Sequence, residues 1–170
     1  MKKFIKNKLR ESINTPSFEL PSNLEPTPNE LNMLKDITWR DIIIEPREND
    51  GSPMFYIDVT FKNQELNKFS KSIVFSIQLI KQMYYHPHLF LSNKLQGISI
   101  GPKLFKAFIM DFGHLYATKA RTLNQNASKM IENLTTDPDF ESFSDDKATI
   151  IIKKDNPIKN KLIKIINQNY

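Results

Sequence analysis

The chain has 170 residues, 39% of them hydrophobic and twelve of them phenylalanine, which suits one domain with a packed interior and excludes global disorder. Its net charge of +5 at pH 7 and pI near 9.3 come from lysines spread along the chain, a balance that a solvated surface explains and that a phosphate-rich ligand would also suit. Lacking cysteine, it has no disulfide, cysteine nucleophile or thiolate metal site.

No apolar run approaches the roughly 18 residues of a membrane span, and the opening stretch has no signal-peptide core, so a cytoplasmic protein is expected. Residues 1–28 read as a basic helix followed by a proline-rich arm. Phe4, Ile5, Leu9 and Ile13 recur among lysines at roughly helical spacing, either docking on the domain or tethering it to a partner. Pro16, Pro21, Pro26 and Pro28 then keep the chain extended, with Phe18 and Leu20 as anchors.

The main domain is expected over residues 29–155. Thr27-Pro28-Asn29-Glu30 is a capping box that starts a helix reaching about Lys35 and burying Leu31 and Leu34. Trp39 to Glu45 reads as a strand, and Asp50-Gly51 marks a turn. Met54 to Lys62 alternates Phe55, Ile57, Val59 and Phe61 against polar neighbours, as a half-buried strand does. A turn over Asn63 to Lys68 leads to a strand over Lys71 to Ile80. Leu89-Phe90-Leu91 is the core of the next strand.

Three of the four glycines, Gly97, Gly101 and Gly113, fall in the stretch Gln96 to Gly113, where the backbone needs unusual geometry. Leu104, Phe105, Phe108, Ile109 and Phe112 share one helical face, and Pro102 sits at the helix start. The unit is therefore strand, glycine loop, helix. Its helix N-terminal amides suit a phosphate, and a plain glycine turn onto a core helix is the simpler alternative. Beyond it come a strand over His114 to Thr122, a helix from about Asn126 to Thr135, an acidic turn-rich stretch over Asp137 to Asp146, and a strand over Ala148 to Lys154. Residues 156–170 read as an amphipathic helix opened by Pro157, with Ile158, Leu162, Ile165 and Ile166 on one face. It packs on the body or contacts another chain.

Gln96-Gly97-Ile98-Ser99-Ile100-Gly101 resembles the Arg/Gln-x-x-Gly-x-Gly/Ala pyrophosphate loop of the GNAT superfamily of acyl-CoA-dependent N-acyltransferases. Asn124 and Ala127 resemble that family's downstream Asn-x-x-Ala signature, and the similarity runs roughly from Tyr84 to Leu134. It implies a mixed α/β (α+β) GNAT-like fold, with a mostly antiparallel central sheet flanked by helices, an N-terminal arm and a C-terminal helix. It also implies acetyl-CoA, or another acyl-CoA, as cofactor and an amine as acceptor. Backbone amides from Ile98 to Lys103 would hold the pyrophosphate around Gly101 and Pro102, and Leu89, Phe90 and Leu91 would pair with the pantetheine arm.

Two positions depart from the family pattern. Ser99 stands at the first loop glycine, where φ > 0 would cost a serine about 1–2 kcal/mol unless its hydroxyl finds a local partner. Ile131 stands where the family places its general-acid tyrosine, and an isoleucine cannot protonate a thiolate. The alternative is thus a catalytically inactive domain of that shape serving a larger assembly such as a virion. Partners would engage residues 1–28 and 156–170, or the chain would self-associate.

For the base, His86 and His88 beside Pro87 are the candidates, ordinary turn histidines being the alternative. The pair lacks a third ligand, so no metal is expected. His114 reads as a strand-edge residue. Tyr84, Tyr85 and Tyr116 are candidates for the missing acid, although a buried tyrosine more often serves packing. Lys94, Lys103 and Lys106 surround the loop as phosphate partners or as a solvated face. The basic residues do not alternate with aromatics as an RNA-binding sheet requires.

Overall fold

Thr27 opens the first helix, α1 (Pro28–Asp36), through the expected capping box: its Oγ1 accepts the Glu30 N–H at 3.3 Å, and Glu30 Oε2 accepts the Thr27 N–H at 3.0 Å. The structure, a computed structural model, describes residues 20–47, 51–118 and 125–167. The basic segment at residues 3–13 and most of the proline-rich arm lie outside the described residues.

The strand expected from Trp39 begins instead at Ile42. Trp39–Asp41 forms a single 3-10 turn because Thr38 and Asp41 exchange side-chain and backbone hydrogen bonds, the Thr38 N–H reaching Asp41 Oδ2 at 2.7 Å. From there β1 (Ile42–Pro46), β2 (Met54–Phe61), β3 (Ile73–Ile80) and β4 (Tyr84–Leu91) make one antiparallel sheet in the order β1-β2-β3-β4. The connection expected as a short turn after Asn63 is a nine-residue 3-10 helix, Gln64–Ser72, which buries Leu66 and Phe69. Lys81 and Gln82 close the β3–β4 hairpin at positive φ, a role that glycine or asparagine usually fills.

The second helix, α2 (Ile100–Phe112), lays Leu104, Phe105, Phe108 and Ile109 on this sheet, as the spacing implies. The Phe75 ring meets Phe105 at 5.8 Å and Phe108 at 5.6 Å, edge-on to the latter. Each such buried aromatic contributes about 1.5–3 kcal/mol through lost apolar hydration. Gly113 ends α2 at φ +93°, and a Cβ there would stand 2.7 Å from Asn156 Nδ2, so the position requires glycine.

β5 (His114–Thr118), α3 (Gln125–Thr135), β6 (Phe140–Ser144), β7 (Ala148–Lys153) and α4 (Lys159–Asn167) follow. Their strands form a second antiparallel sheet in the order β5-β7-β6. β6 lies inside the stretch read as acidic turn: Phe140 buries itself and Asp145 Oδ1 closes the hairpin by accepting the Lys147 and Ala148 N–H groups. Helix α4 packs on the body through the fully buried Leu162, whose carbonyl accepts the Tyr84 hydroxyl at 3.2 Å.

The described residues thus form a mixed α/β (α+β) domain, with a four-stranded antiparallel sheet, a second three-stranded sheet and four α-helices. That arrangement is compatible with a GNAT-like fold.

Candidate functional site

The site begins where the two sheets meet. β4 and β5 lie side by side, yet they belong to separate sheets. Two side chains bridge them: His114 Nε2 lies 2.9 Å from the Met83 carbonyl, and His86 Nδ1 lies 3.0 Å from the Tyr116 carbonyl. A carbonyl only accepts, so each of those ring nitrogens carries the proton. The pairings advance together along both strands, which therefore run in the same direction.

Past this junction residues of both strands line a cleft of about 790 Å³, a volume in the usual range for small-molecule sites. One wall is β4 from His86 to Leu91. Ala117 and Thr118 of β5 face it, Asn126, Ala127, Lys129, Met130, Ile131 and Asn133 of α3 close a second side, and the loop from Leu95 to Pro102 forms the rim.

Among the described residues, no strand pairs with β4 on the cleft side. The Ser92 N–H bonds to the Ser72 carbonyl at 3.0 Å, so the partners aimed at β3 are Tyr84, His86, His88 and Phe90. Leu89 and Leu91 turn their backbone groups the other way. Pro87 falls at one of those outward positions, where its missing N–H costs no ladder bond. The Leu91 carbonyl accepts from Gln96 Nε2 at 3.3 Å, and that amide also reaches Asn93 Oδ1 at 3.2 Å, which ties the loop to the strand.

Gly97 adopts φ +79° and Ser99 φ +62°, both left-handed. Ser99 makes no side-chain cap hydrogen bond, so its strain has no local compensation. The helix starts at Ile100, two residues before the expected Pro102 start. The amides of Ile100 and Gly101 precede the first residue able to bond within the helix, and Pro102 has none to offer. At Gly101 an added Cβ would lie 3.1 Å from Met130 Sδ and 3.5 Å from Leu89 Cδ2, so the helix, β4 and α3 converge there.

Several expected site residues come together and others do not. His86, His88, Leu89, Phe90, Leu91, Gln96, Gly97, Ser99, Ile100, Gly101 and Pro102 all line the cleft. Ile98 is buried in the main core instead. Asn124 lies outside the described residues, while Ala127 and Ile131 face the cleft.

The Lys103 ammonium turns away to cap α1, bonding the Leu34 and Lys35 carbonyls at 3.3 and 2.6 Å. Lys94 pairs with Glu25, and Lys106 with Asp137 and Asp139, so none of the three lysines expected around the loop lines the cleft. Tyr116 is not a lining residue either. Its ring stacks on Tyr84 at 5.1 Å, on the smaller core of Ile150, Ile152 and Leu162, where burial first and Asp145 second push its hydroxyl pKa up. Tyr84 is buried there with it, and Tyr85 packs against Phe108. His114, read as a strand-edge residue, is 1% exposed.

His86 and His88 sit within β4, not before it, with rings perpendicular at 4.8 Å. Burial, and next the neighbouring His86, hold the His88 imidazole below its usual range, and its Nε2 lies 3.4 Å from Gln78 Oε1. Sequence reasoning missed Lys129, a cleft-lining cation with no ion-pair partner among the described residues. Nothing in its helical spacing marks it. Among the described residues, the cleft lining contains no carboxylate and no cluster of metal-ligating side chains occurs.

Compared with protein-family models and with curated proteins, the chain matches none.

Proposed function

We propose that the cleft binds an acyl-CoA and passes its acyl group to an amine. The observation that carries this reading is the cleft itself. Two co-directional strands flank it, and β4 has no strand paired at Leu89 among the described residues. A left-handed loop at the rim opens a helix with its amides, and the described lining holds Lys129 and no acid. An extended amide-bearing arm would add to β4 by main-chain hydrogen bonds. The diphosphate would sit on the Ile100 and Gly101 amides, aided by the helix dipole.

His86 serves this chemistry better than His88. Its Nδ1–H is fixed on the Tyr116 carbonyl, which leaves the Nε2 lone pair free to take a proton. The amine nitrogen bonds to the thioester carbonyl carbon as the carbon–sulfur bond breaks. The acceptor arrives as an ammonium. One of its protons passes to His86 Nε2 and on to solvent, which frees the nitrogen lone pair for attack, and a second moves from nitrogen to the departing thiolate as the amide forms. No side-chain acid is needed in that sequence, in keeping with Ile131 on the α3 wall. Positioning of the two reactants supplies much of the acceleration.

Ile131 also favours a second reading, a domain of this shape that binds the cofactor, or nothing, and acts as a component of a larger assembly. Calorimetry separates these readings. Saturable binding of acetyl-CoA, abolished by Gly101→Glu, supports the first. Absence of binding by the wild-type chain leaves the second. Transfer is tested by mass spectrometry of a panel of primary amines incubated with acetyl-CoA, comparing wild type with His86→Gln.

A further inference from the structure

The strand junction above the cleft is held by imidazoles where a backbone ladder would ordinarily run. The two bonds differ in what protonation does to them. His86 reaches the cleft, so a charge on its free Nε2 meets solvent or ligand. His114 is 1% exposed and stacks on Tyr85 at 4.6 Å. Its Nε2–H is spent on the Met83 carbonyl, and its Nδ1 is buried with no hydrogen-bond partner among the described residues.

We infer that His114 is a pH-sensitive pin that keeps β4 and β5 at their present spacing, and that its protonation loosens the junction and the cleft below it. A second proton would create a buried N–H with no acceptor and a buried charge with no counter-ion, both costly in an apolar setting. Relief comes from solvating Nδ1, which requires β5 to part from β4.

The titratable groups on the elements packed against β5 are Tyr84, Tyr85, His86 and His88 on β4, Lys103, Lys106 and Asp111 on α2, and Lys153 on β7, with Tyr116 on β5 itself. None is an ion-pair partner of His114. Burial is the leading influence and lowers its pKa, with the bond to Met83 opposing. The native state therefore resists a proton that the unfolded chain accepts near pH 6.5. Stability from this residue is fully present above that pH and drains away as the pH falls toward the lowered native value.

The inference does not depend on what the cleft binds, and its test needs no ligand. The full chain is titrated from pH 7.5 to 5 by NMR, following the His114 ring nitrogens and the amides of Leu89, Ala117 and Thr118, with thermal melts at each pH. His114→Gln keeps a donor for Met83 but cannot titrate. The wild type is expected to show the Nε2–H tautomer at pH 7.5, cleft amides that shift in step with His114 protonation, and a melting point that falls between pH 7.5 and 5 by at least about 3 °C more than that of His114→Gln. The inference is overturned if His114 titrates with no response in those three amides. It is equally overturned if the two melting profiles fall together. Should the variant not fold, the wild-type amide response alone decides.

Discussion

Gly101 and Met130 close the inner end of the cleft, with the thioether sulfur 3.1 Å from where a Gly101 Cβ would stand. The contact is tight, but methionine is the most adaptable of core side chains and its far end can give way. Gly101 also sits in helical backbone, where alanine is favoured over glycine by about 0.5–1 kcal/mol. Gly101→Ala is therefore expected to change stability by less than about 1 kcal/mol in denaturant melts while keeping acetyl-CoA binding. Glutamate at the same position fills the cleft and brings a negative charge to the diphosphate seat, so binding should vanish while the fold survives.

Ser99 holds φ +62° with no side-chain cap bond. Ser99→Gly removes a left-handed penalty of about 1–2 kcal/mol and adds some unfolded-state entropy, for a net stabilisation of about 0.5–1 kcal/mol. Urea denaturation at constant slope measures it. A loss of stability would show that the serine has a role in the loop beyond filling a glycine position.

Lys103 ties α2 to the end of α1 through the Leu34 and Lys35 carbonyls. Lys103→Met keeps the aliphatic stem and deletes the cation at a helix C-terminus, so a cost of about 0.5–1.5 kcal/mol is expected. Acetyl-CoA affinity should stay within twofold, whereas Lys129→Met should weaken it. The opposite ranking would mean that Lys103 swings into the cleft when ligand binds.

Burial first and the neighbouring His86 second hold the His88 imidazole below its usual range. Its native pKa lies below the unfolded value near 6.5, so its stabilising contribution is complete above that pH and declines as the pH drops. NMR should find His88 titrating below an exposed histidine. His86→Gln should raise that midpoint without restoring it fully, because burial is the larger cause.

Much of this architecture was legible in the residues. The Thr27 capping box, the alternation of Phe55 to Phe61 and the apolar stripe of α2 each satisfy a local rule that tertiary packing then reinforces. The clustered glycines pointed to unusual backbone between Gln96 and Gly113, and the resemblance, which sets a glycine where Ser99 stands, raised a positive φ there as a condition that its φ of +62° meets.

What was not legible depended on partners distant in sequence. Lys103 was spent on α1, 68 residues away in the chain, which no helical periodicity reveals. β6 hid because Phe140 and Phe143 lie among acids, and its pairing with β7 is set by the Asp145 turn. The burial of His114 depends on the close approach of β4 and β5, a contact between separate sheets with no pattern in either strand alone. The β3–β4 hairpin lacks the glycine or asparagine that normally announces such a turn.

Central to the account is the open main-chain edge of β4 at Leu89 as the seat of an extended amide-bearing ligand. Hydrogen exchange read by NMR tests it at a single residue, with and without saturating acetyl-CoA. The account predicts that exchange of the Leu89 N–H slows at least tenfold while the Gly97 and Gly101 amide resonances shift. Unchanged Leu89 exchange and unmoved loop amides at millimolar acetyl-CoA would contradict it.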